Sequence, residues 1–274
     1  MAAGSGRGGA SAGLLIAIMV GFFTWYEAAV TSAHAPSLSA AHAPSLSSAT
    51  VPGLTGPPAQ ARLSLAHANN QAMPTTTVLA AIRFTTARYA APGVRGAGQV
   101  PATWWGVPSV LPVVATRPGW VEVRLAQRPN GSTSWLPVSA VRLSSTGYRI
   151  VISLSTMRLT LYRDGRPLLS APAGIGTKDD PTPAGHYFVA FDERPPVPNP
   201  GYGPFILVTS AHSPAIGDWE GSGDAVIGIH GPLGEDSEIG TAGARISHGC
   251  IRLHDKDLLR LRQVPPGTPI DIVG

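Results

Sequence analysis

Between residues 148 and 273 apolar and polar positions alternate in short runs. Arg149-Ile150-Val151-Ile152-Ser153-Leu154 and Arg158-Leu159-Thr160-Leu161-Tyr162 read as strands, and Asp164-Gly165 reads as the hairpin turn that leads into Pro167-Leu168-Leu169-Ser170. Further short apolar runs lie at Phe188–Phe191, Phe205–Val208, Ala225–Ile229 and Ile270–Val273. Runs of this length suit strands buried in a core and are too short for globular helices. One helix is predicted, with Asp255 capping Lys256–Leu261 and Leu258, Leu259 and Leu261 lining its buried stripe.

A second set of strands precedes these, over residues 77–145. Val113-Val114-Ala115-Thr116, Trp120-Val121-Glu122-Val123-Arg124-Leu125 and Ser134-Trp135-Leu136-Pro137-Val138 are strand-like, and Arg128-Pro129-Asn130-Gly131 reads as a hairpin turn. The alternation from Trp120 to Leu125 is that of a half-buried strand. Short strands, a Gly-Trp step and a tight turn resemble the small SH3-like β-barrel modules that precede wall enzymes in bacteria. The predicted class is mainly β, as a module at 77–145 followed by a larger domain at 148–274. Residues 36–76, rich in Ala, Ser, Pro and Thr, hold too little apolar surface to offset chain entropy and read as a disordered tether.

Charge and composition narrow the partners. The net charge of +4 is spread along the chain with no basic cluster and no interleaved aromatic run, which argues against nucleic acid as a ligand and suits an anionic cell wall or membrane surface. At the amino terminus Arg7 precedes an apolar stretch from Leu14 to Tyr26, and Ala33-His34-Ala35 offers a small-x-small cleavage pattern, so residues 1–35 read as a signal peptide. Extending the stretch back over residues 8–26 makes a marginal membrane anchor, the alternative reading. Either places the remainder outside the cytoplasm, in the cell wall or a periplasm-like space.

The one cysteine, Cys250, then becomes the centre of the candidate chemistry. It has no internal disulfide partner and no resolving cysteine for redox work, which leaves packing, metal binding or nucleophilic attack. His230 lies twenty positions upstream, followed by Gly231. A free thiol titrates near ~8.5, and an adjacent imidazole that takes its proton is expected to bring it to roughly 4–7. The amides of Gly249 and Cys250 are candidates to face a developing oxyanion. A zinc site drawn from His230, His248, Cys250 and His254 matches no common ligand spacing, so neither metal nor cofactor is expected.

His230, sixteen intervening residues and then Ser247-His248-Gly249-Cys250 resemble the signature of the YkuD-type L,D-transpeptidases. Gly174-Ile175-Gly176 and Asp180-Pro181-Thr182-Pro183-Ala184-Gly185-His186-Tyr187 are similar to that family's glycine-bearing strand and Thr-Pro-x-Gly-x-aromatic segment, so the resemblance covers Tyr148 to Val273. It implies a β-sandwich catalytic domain and acyl transfer between peptidoglycan stem peptides, giving 3-3 cross-links through a cysteine thioester, with carbapenem-type β-lactams as inhibitors. Cys250 is then the nucleophile and His230 its base, oriented by the Gly231 carbonyl. His248 shapes the site, Ser247 bonds within the loop, and Arg252 meets a stem-peptide carboxylate. The same site with water as acceptor is an L,D-carboxypeptidase trimming tetrapeptide stems, and a degenerate one is an inactive wall-binding module. A monomer is expected.

Overall fold

The computed structural model describes residues 74–195, 200–219, 221–241 and 243–274. The predicted signal or anchor segment, and nearly all of the tether, lie outside the described residues. Among the described residues no helix is long and apolar enough to cross a membrane.

The first segment builds one seven-stranded sheet in the order β3-β2-β8-β7-β6-β1-β9. Its strands are β1 (Thr77–Ile82), β2 (Thr86–Ala91), β3 (Val94–Val100), β6 (Val110–Arg117), β7 (Trp120–Arg124), β8 (Thr133–Pro137) and β9 (Val141–Thr146), while β4 (Thr103–Trp104) and β5 (Val107–Pro108) form a separate small hairpin. In β7 the alternation is realised, with Val121 and Val123 buried between half-exposed Trp120, Glu122 and Arg124. The core of this sheet gathers Ala80, Val100, Leu111, Val121, Val123 and Leu136, and is joined by Phe188 from the following segment.

The second segment adds β10 (Tyr148–Ser153), β11 (Arg158–Arg163), β12 (Arg166–Pro172), β13 (Ile175–Gly176), β14 (Gly185–Glu193), β15 (Ile206–His212), β16 (Val226–His230), β17 (Arg245–Ser247), β18 (Ile251–Arg252) and β19 (Pro269–Val273). Eight of them run in the order β12-β11-β10-β19-β14-β15-β16-β18. Strand β14 turns this sheet into a sandwich. Its first half, Gly185–Phe188, pairs with β19, and after a bulge near Val189 its second half pairs with β15. The two halves close on a common core of Ile150, Ile152, Leu159, Leu161, Leu207, Ile227, Ile229 and Ile251. β15 is buried along its whole length, its apolar first half Ile206–Val208 as well as Thr209, Ser210 and His212.

The hairpin at Asp164-Gly165 forms as expected, both residues at positive φ, 51° and 76°. The helix differs from its expectation. Only Asp255–Leu258 is α-helical (α1), Leu259–Leu261 tightens to a 3-10 turn, and the N-cap position is His254, with Asp255 inside the first turn. Leu258 and Leu261 are buried while Leu259 is half exposed, because a segment this short covers one narrow stripe at i and i+3.

Candidate active site

Two parallel strands position the central pair. β16 and β18 run side by side with Ile229 opposite Ile251 and His230 opposite Arg252, so Cys250, one residue before β18, stands beside Gly228. The Gly228 amide donates to Cys250 Sγ at 3.4 Å. Gly228 and His230 share a face of β16, and a Cβ at Gly228 would stand 3.8 Å from His230 Cδ2, the ring carbon bonded to Nε2. The Nε2 edge of the imidazole therefore turns toward the strand position where the thiol is held.

The other ring nitrogen is committed. His230 Nδ1 lies 2.8 Å from the carbonyl oxygen of Gly231, which can only accept, so the proton sits on Nδ1 and Nε2 keeps its lone pair. Tyr202 packs edge-on against the ring at 4.9 Å, and the Gly231 amide donates to the Tyr202 carbonyl at 2.8 Å. The backbone around Gly231 is so close that an added Cβ would meet Gly203 N at 2.7 Å and Tyr202 C at 2.8 Å. His230 is 3% exposed. Burial pushes its imidazole down to about 4; the Gly231 carbonyl opposes this and the Arg252 charge adds to it.

The thiol is displaced in the opposite sense from the sequence expectation. Burial pushes the Cys250 thiol up, against the Gly228 amide bond and the Arg252 charge, both of which pull it down. The two directions, a raised thiol and a lowered imidazole, favour a neutral pair over the expected thiolate and imidazolium.

The loop between β17 and β18 is held by its own hydroxyl. Ser247 Oγ donates to the Cys250 carbonyl at 2.5 Å and accepts from the Gly249 amide at 3.1 Å. This is the in-loop bonding expected of Ser247. It also uses the Gly249 amide, which therefore does not face an oxyanion as expected; of the two amides proposed, that of Cys250 remains for this role. Gly249 sits at φ +114°, and a Cβ there would stand 2.8 Å from Ile227 Cδ1. A side chain at this position is excluded sterically.

Thr182 was not singled out as a site residue, yet it ties two segments together. Its buried hydroxyl donates to the Gly249 carbonyl at 2.7 Å and accepts from the Gly176 amide at 2.8 Å. The only sequence signal was its place in the Thr-Pro-x-Gly segment. Gly174 completes this wall by exchanging both backbone bonds with Arg252, each 2.9 Å.

Arg252 departs from expectation. Its Nη1 donates to Glu235 Oε2 and its Nε is buried without a partner, with the side chain only 11% exposed. The carboxylate it meets is thus internal, and its effect on the site is electrostatic. His248 points outward, its side chain 62% exposed, with Nε2 3.8 Å from Asp180 Oδ2 and its ring 5.4 Å from that of Trp219. It borders the site without reaching the base position. Among the described residues no three His, Cys, Asp or Glu side chains are grouped to hold a metal ion.

Comparison with known proteins finds similarity over residues 147–272. Residues 147–272 match the family model of the L,D-transpeptidase catalytic domain, YkuD. The protein named "Putative L,D-transpeptidase YkuD" in Bacillus licheniformis is 36% identical over 126 residues, 46% of this chain and 65% of that protein. Its namesake in Bacillus subtilis is 33% identical over the same shares. The chain thus spans just under two thirds of the length of the curated relatives it matches. Among solved structures, the catalytic domain of an E. faecium L,D-transpeptidase acylated by ertapenem is 26% identical, covering 46% of this chain and 95% of that one with a TM-score of 0.32.

Proposed function

With residues 147–272 matching the YkuD-type L,D-transpeptidase catalytic domain, we propose that this protein is an exported peptidoglycan L,D-transpeptidase that forms 3-3 cross-links through a thioester on Cys250. The observation that carries the reading is the placement of Cys250 Sγ on the Gly228 amide beside an imidazole whose Nδ1 is committed to the Gly231 carbonyl.

The chemistry follows from that geometry. Cys250 Sγ attacks the carbonyl carbon between the diamino acid and the terminal D-alanine of a donor tetrapeptide while His230 Nε2 takes the thiol proton. Negative charge moves to the carbonyl oxygen, where the Cys250 amide is the available donor. Collapse of the tetrahedral species breaks the peptide bond, and the imidazolium, supported at Nδ1 by Gly231, gives its proton to the departing D-alanine amine. The thioester retains the acyl energy of the broken bond, so no ATP is required outside the cytoplasm. The side-chain amine of a second stem then attacks, loses its proton to His230, and expels the thiol. Carbapenems acylate the same sulfur.

Supplying purified protein with disaccharide tetrapeptide and weighing the products tests this. A dimer formed with loss of one D-alanine is expected. Tripeptide alone would instead identify an L,D-carboxypeptidase, and unchanged substrate would identify a wall-binding module.

A further inference from the structure

The turn between β7 and β8 reaches out of the first sheet and grips the segment that links β15 to β16. Arg128 spreads its guanidinium over three acceptors: Nε donates to Asp224 Oδ1 at 2.8 Å, Nη1 to the Ser213 carbonyl at 3.1 Å and Nη2 to the Ile216 carbonyl at 3.1 Å. Asn130 pairs both ways with the His212 backbone, donating to its carbonyl at 2.8 Å and accepting from its amide at 2.9 Å. His212, 1% exposed, donates from Nε2 to the Ala126 carbonyl at 2.6 Å and sets Nδ1 2.8 Å from Asp224 Oδ2. Asp224 is the knot of this arrangement. Arg128 and His212 hold its carboxyl below the usual carboxylate range in spite of burial.

The gripped segment borders the site. Within it the Trp219 amide donates to the Asp224 carbonyl at 2.9 Å, and Gly223 donates to Asp218 Oδ1 at 2.8 Å, closing a small loop on the residue that Arg128 holds. The Trp219 ring lies over His248, two residues before Cys250. Two residues after Asp224 the chain enters β16, which carries both the Gly228 amide and His230.

We infer that Arg128 and Asn130 of the first segment are positioning residues for the acyl-transfer site, fixing the 213–224 loop so that Trp219 and His248 form one wall of the donor-peptide groove. This rests on the transpeptidase reading. The first sheet then serves the reaction through the loop it holds, and a chemistry that needs a long peptide aligned on the thiol depends on it more than the intrinsic reactivity of the thiol does. A Lys at 128 keeps the charge but cannot span three acceptors with a planar fork.

The test uses the full chain and the variants R128K and N130A, with three readouts: amide hydrogen exchange over residues 213–224, alkylation of Cys250 by iodoacetamide, and turnover of disaccharide tetrapeptide with kcat and KM separated. In both variants exchange in the loop is expected to rise at least tenfold and kcat/KM to fall about tenfold, mainly through KM, while alkylation stays within twofold. Unchanged kcat/KM in variants whose loop exchange has risen would overturn the inference, as would unchanged exchange. An unmodified protein that is alkylated but never turns over tetrapeptide would overturn the transpeptidase reading itself, a result separable from the other two.

Discussion

The backbone amide of Gly228 and the sulfur of Cys250 are hydrogen-bonded at 3.4 Å across the parallel strands β16 and β18. This bond joins the only cysteine of the chain to the strand that ends in His230, so the proposed nucleophile and its proposed base share one strand register. The bond also offsets part of the burial that holds the thiol protonated.

The raised thiol and lowered imidazole predict a neutral resting pair, and pH-dependent labelling tests it. Alkylation of Cys250 by iodoacetamide is expected to rise with pH through a midpoint above that of a free thiol, because burial raises the thiol and the lowered imidazole does not hold its proton at neutral pH. A midpoint below 7 would show a preformed thiolate-imidazolium pair.

The proposed base has a separate signature. His230 is unprotonated above about 4, so the acid limb of kcat/KM should fall near pH 4 and not near 6.5. H230A is expected to lose about 10²–10⁴ in rate, the usual worth of a positioned general base. An acid limb at 6.5 would mean that the imidazole is not buried in the working enzyme.

Burial of that imidazole links stability to pH. Above 6.5 it is neutral in both folded and unfolded chains. As pH falls from 6.5 toward 4 the unfolded chain binds a proton that the folded chain refuses, so stability is lost through this window by about 3 kcal/mol in all. Urea unfolding of the native protein and H230Q at pH 7 and pH 4 measures it: the native protein should lose that much more than the variant. Parallel losses would contradict the buried, neutral assignment.

Thr182 supplies the test of the loop's support. T182V keeps the shape but removes the bridge from Gly176 to Gly249, leaving a buried donor and acceptor unsatisfied at a cost of about 1–3 kcal/mol. Chemical denaturation should show that loss together with a reduced, but not abolished, rate of acylation. Native stability in T182V would remove Thr182 from the account.

What could be read from the amino acids alone depended on how local each cause was. The strands of 148–273 were legible because Ile150, Ile152, Leu159 and Leu161 repeat every second residue, and Asp164-Gly165 encodes its turn in two residues. The His230 to Cys250 spacing was legible as a motif. Thr182 and Gly249 are 67 residues apart, and Asn130 and His212 are 82 apart, so their bonds leave no pattern in any window of sequence. Arg252 was legible as a carboxylate binder, but the carboxylate came from Glu235, seventeen residues before it. The direction of the thiol shift was invisible for the same reason: burial is a property of the assembled strands.

Intact-mass measurement with peptide mapping after exposure to a carbapenem tests the central claim, that Cys250 is the acyl-accepting nucleophile. The native protein should gain one covalent adduct, located on Cys250, and C250A should gain none while keeping its thermal transition. An adduct that persists in C250A, or a folded native protein that gains no adduct, would contradict it.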